Sequence, residues 1–154
     1  MQHPSPFTPA ERLESAKVAS IGGLTAGLIS LGLLLLQRFT PAGLILPPAH
    51  FWSGMAGLTL LVNGAIAAVS GSLFALTYRY AIRQDTNPQL KSGVVLAFTL
   101  VRGLAQVDVG SAIAQHCWPF LAAFGESLWL FGGSAIVLNF AFAQTWLKPF
   151  DPDL

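Results

Sequence analysis

The sequence contains few side chains whose type and spacing could carry out chemistry. Arg102 and Gln106 are four residues apart in an apolar stretch, so a helix there places both on one face. A guanidinium in hydrocarbon costs at least ~2.5–3.5 kcal/mol unless it finds a partner or reaches the interface. We expect Arg102 to pair with an acidic group such as Asp108 or Glu126 or one on a partner, or to hold an anionic lipid or cofactor group. The favoured alternative is that its head reaches the lipid headgroups while its stem stays buried.

His116 is the first candidate for a cofactor ligand, because imidazole Nε2 coordinates chlorophyll or haem iron well. A lone histidine beside Pro119 is more often an interfacial hydrogen-bonding residue, and neither His3 nor His50 forms a recognisable pair with it. The single cysteine, Cys117, excludes an intrachain disulfide and a multi-cysteine metal site. We predict no metal and no resident cofactor, with a pigment at His116 as the alternative.

Catalytic motifs are absent from the sequence. It contains no G-x-S-x-G, no H-E-x-x-H, no P-loop and no dinucleotide-binding fingerprint. It also lacks a basic patch of the kind that neutralises nucleic-acid phosphates. We therefore predict a protein that is not an enzyme and does not bind nucleic acid.

The composition is that of a membrane protein. Of 154 residues, 53% are hydrophobic and 10% are charged, and the mean hydropathy is +0.61. Average soluble domains are roughly 25% charged, because their surface must be hydrated. The fold class predicted is all-α, an integral membrane helical bundle in contact with the lipid bilayer.

Apolar stretches and turn signals divide the chain into a tail (1–8), a helical membrane domain (9–148) and a C-terminal tail (149–154). Thr8, Pro9 and Glu11 form a helix-start pattern in which Glu11 completes a capping box. Uncharged residues 18–36 extend about 28 Å as a helix, close to the ~30 Å hydrocarbon thickness. The spans predicted are about 18–36, 52–78, 93–109 and 126–146.

The third of these spans differs from the others, because it is short and contains the polar residues Arg102 and Gln106. Residues 93–109 either cross the membrane or lie at its surface. With four crossings, the polar loop predicted at 79–92 and both termini share one side, which then carries six of the eight basic residues; these are Arg12, Lys17, Arg79, Arg83, Lys91 and Lys148. Cytoplasmic loops are rich in Lys and Arg, so four spans with cytoplasmic termini are preferred.

Small residues recur every fourth position in two spans. The first span carries Ala19, Gly23 and Gly27, and the second carries Gly64, Ala68 and Ser72. In lipid, such stripes let helix backbones approach closely. We expect both stripes to be helix contacts, within this chain or with another subunit. Two amides, Asn63 and Asn139, are expected to form hydrogen bonds between helices.

The middle of the chain resembles a family of small, uncharacterised multi-span membrane proteins of cyanobacteria and plastids. The resemblance covers about 45 residues and rests on L-V-N-G-A-I-A (61–67), Y-R-Y (78–80), D-T-N-P-Q-L-K-S-G-V-V (85–95) and V-R-G-L-A (101–105). It implies a cyanobacterial thylakoid or plasma membrane location and an auxiliary role around photosynthetic complexes. It supplies no catalytic or ligand residues.

These observations together predict a non-enzymatic accessory or assembly factor that packs against helices of a larger membrane complex. The alternatives are a pigment- or cofactor-binding subunit, with His116, Asn63 or Glu126 as ligands, and a small oligomeric transporter.

Overall fold

The computed structural model describes residues 9–39, 56–82, 87–106 and 117–150. Within these ranges the chain is helical, without strands. The helices of the described ranges are α1 (Pro9–Phe39), α2 (Ala56–Ile82), α3 (Pro88–Gln106) and α4 (Cys117–Ala143). The predicted all-α class is confirmed. Residues 1–8, 52–55, 107–109 and 151–154 lie outside the described residues. The predicted C-terminal tail, 149–154, begins too early, because Phe150 is buried against the bundle.

Three of the helices are long and apolar enough to cross a membrane; the qualifying segments are Pro9–Leu36, Leu60–Ile82 and Phe120–Ala143. The fourth, α3, has 19 residues and extends about 28 Å at 1.5 Å per residue. The predicted loop at 79–92 was too long, because α2 continues to Ile82 and α3 already begins at Pro88. Similarly, α4 begins well before the predicted start at 126, at Cys117.

Consecutive helices run antiparallel and pack lengthwise. Gly22 faces Gly71 whereas Gly27 faces Gly64, so α1 and α2 run in opposite directions. Between α3 and α4, the Phe98 and Phe131 rings lie 5.5 Å apart. Further along α3, the position of a Cβ on Gly103 would be 3.3 Å from the α4 backbone. α3 is therefore a helix of the bundle, aligned with α4 over its length.

The α1–α2 contact is a close approach of two backbones. A Cβ on Gly22 would lie 2.8 Å from the Gly71 carbonyl oxygen, and one on Gly71 would lie 2.6 Å from the Gly22 carbonyl oxygen. A methyl group at Gly71 would also overlap the Ala26 Cβ. Lipid tails are as apolar as these side chains, so the contact is stabilised by dispersion between closely packed backbones.

An aromatic core fills the space between the two helical hairpins. Phe74 lies 5.4 Å from Phe98 and 5.1 Å from Phe131, measured between ring centroids. The Tyr78 ring adds a contact at 5.3 Å to Phe74. Phe74 and Tyr78 are fully buried, and Phe131 is nearly so. Such ring pairs contribute about 0.5–1.5 kcal/mol each beyond the area they bury.

Replacing Gly71 tests the close approach. We expect Gly71→Leu to lower the free energy of unfolding by at least about 2 kcal/mol, since a side chain there would force the backbones apart. Thermal or denaturant unfolding of the purified protein in mixed micelles measures the effect. Gly32→Leu is the matched control, because no atom lies within 4 Å of its added Cβ. Equal stability of the two variants would contradict the packing described.

Cysteine labelling tests whether α3 crosses the membrane. In a Cys117→Ser background, we expect Arg12→Cys and Lys148→Cys to react with an impermeant maleimide from one side, and Gln106→Cys from the other. All three positions are exposed. Labelling of Gln106→Cys from the same side as Arg12→Cys, with Lys148→Cys labelled from the opposite side, would show that α3 does not cross.

Candidate functional site

A buried arginine joins three parts of the chain at one end of the bundle. Arg79 belongs to the last turn of α2 and its side chain is fully buried. Its guanidinium Nη2 donates to a Glu11 carboxylate oxygen at 2.6 Å, and Nη1 donates to the Ser15 hydroxyl at 2.7 Å. Its Nε donates to the Lys148 carbonyl oxygen at 3.0 Å. These residues, with Tyr80, form what we call the Arg79 cluster.

Aromatic rings complete the cluster. The guanidinium carbon of Arg79 lies 5.7 Å from the centroid of the Tyr80 ring and 6.0 Å from that of Phe150. The Tyr80 hydroxyl also lies 2.9 Å from the Ser15 hydroxyl. Rings at this distance attract a cation through their quadrupole. The buried charge is thus compensated by one carboxylate, two further acceptors and two aromatic rings.

A turn after α4 brings the chain back to this arginine. Trp146 N donates to the Ala141 carbonyl at 3.0 Å and Thr145 N donates to the Phe142 carbonyl at 3.1 Å, the two bonds of a Schellman motif. Thr145 has φ of 58°, the left-handed conformation that this motif requires. The turn sends the chain back against the bundle, where Leu147 is buried and the Lys148 carbonyl meets Arg79.

The sequence prediction placed Arg79 in a polar loop and did not single it out, and this was wrong. The α2 helix includes Arg79, which is buried because its charge has a partner on α1. Glu11 pairs with Arg79. The capping box predicted for Glu11 involves Thr8, which lies outside the described residues. The Tyr78-Arg79-Tyr80 sequence was the available signal, since aromatic residues flank an arginine at a predicted membrane interface.

A second polar group lies between α3 and α4, at the opposite end of the bundle. Arg102 Nη2 is 3.7 Å from a Glu126 carboxylate oxygen. Gln106 Nε2 lies 3.5 Å from the same oxygen, and the Ser127 hydroxyl donates to the Gln106 side-chain oxygen at 3.4 Å. Arg102 Nε is buried and has no hydrogen-bond acceptor. We call these four residues the Arg102 cluster.

The two clusters differ in the lengths of their hydrogen bonds and ion pairs. Arg79 donates three hydrogen bonds of 2.6–3.0 Å, whereas the contacts of the Arg102 cluster are 3.4–3.7 Å long. Hydrogen bonds weaken with distance, and charge-assisted ones are strongest below about 2.9 Å. Of the alternatives raised for Arg102, the structure contains the pairing with Glu126. The Arg79 cluster is thus the stronger of the two.

The structure places most of the predicted contact residues between α1 and α2. A Cβ on Gly23 would overlap the Ser72 hydroxyl and lie 2.9 Å from the Ala68 carbonyl, and one on Gly27 would lie 3.6 Å from the Ala68 Cβ. Gly64 packs against the Leu31 side chain. The stripes therefore meet within the chain.

The remaining predicted residues are dispersed. Asn63 is partly buried on α2 and belongs to neither cluster. Asn139 forms the expected interhelical bond, because its side-chain oxygen accepts from the Tyr78 hydroxyl at 3.1 Å. His116 and Asp108 lie outside the described residues. Across the described ranges, no three histidine, cysteine or acidic side chains come together to form a metal site.

Comparisons with protein-family models, with curated proteins and with solved structures find no match to this chain. Its function is therefore inferred from the geometry of the bundle.

Removing the buried guanidinium tests the Arg79 cluster. We expect Arg79→Gln to lower the free energy of unfolding by about 3–5 kcal/mol, because it removes the buried guanidinium that forms the ion pair with Glu11 and two further hydrogen bonds. Arg12→Gln, an exposed arginine one residue from Glu11, is the matched control and should change stability by less than about 0.5 kcal/mol.

Adding Glu11→Gln to Arg79→Gln should recover part of the loss, since the negative charge that faced the guanidinium is then removed as well. Chemical denaturation in mixed micelles gives all three values. Additive losses in the double variant would contradict the pairing.

Proposed function

We propose that this protein is a non-enzymatic integral membrane accessory or assembly factor whose α4 helix packs against a helix of a larger membrane complex. The observation that carries the proposal is the open space over two glycines of α4. An added Cβ would meet no atom within 4 Å at either Gly125 or Gly132. These glycines are seven residues apart and share one face of the helix.

Glycine in a helix interior costs about 1 kcal/mol relative to alanine, unless a neighbouring backbone uses the space. In the α1–α2 contact that space is used, as Gly22 and Gly71 show. On α4 the space beside Gly125 and Gly132 is instead open to the outside of the bundle. The simplest physical reason for two glycines on an outward face is the backbone of a helix from another protein.

Large apolar side chains surround these glycines and complete a surface of protrusions and hollows. On the same side of α4, Leu121, Trp129 and Ile136 are 56%, 72% and 71% exposed. Small residues between large ones let a partner helix interlock by dispersion. We name this surface, Leu121 to Ile136 on the outside of α4, the α4 face.

The bundle interior favours an accessory role over transport. Between the Arg79 and Arg102 clusters lie the packed rings of Phe74, Phe98 and Phe131. A pathway for ions needs polar groups or water along its length. In the described part of the chain, the charged side chains lie at the two ends, and the buried hydroxyls of Thr99 and Ser134 between them donate to carbonyls of their own helices.

Location and orientation are part of the same proposal. The end of the bundle that carries Arg12, Lys17, Arg79 and Lys148 faces the cytoplasm, as the excess of basic residues favours. The resemblance of residues 61–105 to small cyanobacterial and plastid proteins supports a thylakoid or plasma membrane location. It also supports a photosynthetic complex as the larger partner.

Blocking the α4 face tests the proposal. We expect Gly132→Leu to abolish co-purification of the protein with a larger complex, because the added side chain prevents close approach. Native electrophoresis and affinity purification after mild-detergent extraction measure this. Gly32→Leu, on α1, should leave co-purification intact, and neither change should unfold the protein since both sites are open.

Migration of the wild-type protein alone, without other subunits, would overturn the proposal. Co-purification that is insensitive to Gly132→Leu would move the contact away from the α4 face. An absorbance spectrum of the same preparation tests the alternative of a pigment-binding subunit.

A further inference from the structure

A surface groove of about 440 Å³ lies between the first half of α1 and the turn that follows α4. Its walls are mostly carbon, contributed by Leu13, Ala16 and Ile21 on one side and by Trp146 and Leu147 on the other. It exists because Arg79 and the Schellman turn hold residues 146–148 against the bundle. No part of the proposed partner contact on α4 contributes to it.

Lys17 lines the groove and provides its charge. Its side chain is 50% exposed, and Nζ donates to a Glu14 carboxylate oxygen at 2.8 Å. An ammonium group has three donors, so this bond leaves capacity for an external acceptor. Among the residues that the structure describes, the one ion pair of Glu14 is that with Lys17.

The surroundings of the groove are electropositive. At this end of the bundle the described residues include five basic and two acidic ones; these are Arg12, Lys17, Arg79, Lys91 and Lys148, with Glu11 and Glu14. At the other end, Arg38 and Arg102 are accompanied by Glu126. An anionic ligand is therefore attracted to the groove end of the molecule.

The groove lies at the level where lipid headgroups meet acyl chains. Trp146 is 70% exposed on its rim and lies just beyond Ala143, where the apolar span of α4 ends. Exposed tryptophans favour the membrane interface, so Lys17 lies beside one headgroup layer and the apolar walls lie just below it.

We propose that this groove binds an anionic glycerolipid, with the headgroup oxyanion on Lys17 and the upper part of an acyl chain between Ala16, Ile21 and Trp146. The apolar walls select an amphiphile over a free anion. The ammonium group selects a negative headgroup over a zwitterionic one.

Lipid titration of the full-length protein tests the proposal. The detergent-purified chain is titrated with dioleoylphosphatidylglycerol, dioleoylphosphatidylcholine or inorganic phosphate, and bound lipid is counted by native mass spectrometry. We expect the phosphatidylglycerol adduct to dominate. Lys17→Gln should weaken it roughly fivefold, the effect of one lysine near an anionic headgroup. Lys91→Gln, the same charge change at the same end but outside the groove, should weaken it by less than about twofold.

Two further variants separate the headgroup from the chain. Ala16→Phe fills the groove and should reduce the phosphatidylglycerol adduct without changing the net charge. Glu14→Gln releases Lys17 from its internal pair and should strengthen the adduct, a gain that misfolding does not produce.

Equal losses in Lys17→Gln and Lys91→Gln would overturn the groove as the site, since general surface charge would then explain the binding. Equal binding of phosphatidylcholine would remove the role of the charge. Displacement of the lipid by equimolar inorganic phosphate would show a simple anion site and would overturn the assignment to a glycerolipid.

Discussion

The close approach of α1 and α2 at Gly22 and Gly71 is the contact on which the rest of the structure depends. In water, helices associate because their apolar faces leave the solvent, but lipid removes that driving force. What remains is dispersion, which falls steeply when a gap opens between surfaces. A carbonyl oxygen 2.6 Å from the position of a missing Cβ shows how little space remains between these backbones.

This approach fixes the position of Arg79. Because α1 and α2 are antiparallel, the first turns of α1 lie beside the last turn of α2, so Glu11 and Ser15 come within 2.6–2.7 Å of one guanidinium. The same arginine then holds the chain after α4 through the Lys148 carbonyl. A charge that is costly when isolated connects three segments here, because each of its three nitrogens donates a hydrogen bond. Arg102 forms a longer contact with Glu126, and its Nε has no hydrogen-bond acceptor, so it connects its neighbours less tightly.

The two ends of the bundle consequently differ in chemistry. One end is basic, tightly bonded and bordered by the groove at Lys17 and Trp146. The other contains the looser Arg102 cluster between α3 and α4. Between them the interior is aromatic. The outward surface of α4, with its open glycines, is separate from both ends. The proposed partner contact and the proposed lipid site therefore use different parts of the molecule.

The helical membrane class followed from the sequence alone. Long apolar segments with few charges have one way to satisfy their backbone groups in lipid, so composition and hydropathy predicted the all-α fold and the three long helices. The regular spacing of Gly23, Gly27, Gly64 and Ala68 also marked which faces would be close to another helix. These properties are local, and one sequence is sufficient to identify them.

Which residues meet across the bundle was decided only by the tertiary structure. Arg79 and Glu11 are 68 positions apart, and nothing near either one indicates the other as its partner. Local composition predicted a solvated loop for Arg79, because an arginine without a visible partner belongs in water. The pairing of α1 with α2 supplied that partner and allowed α2 to continue to Ile82. The groove beside Lys17 has the same origin, since its two walls are brought together only when the chain after α4 folds back onto Arg79.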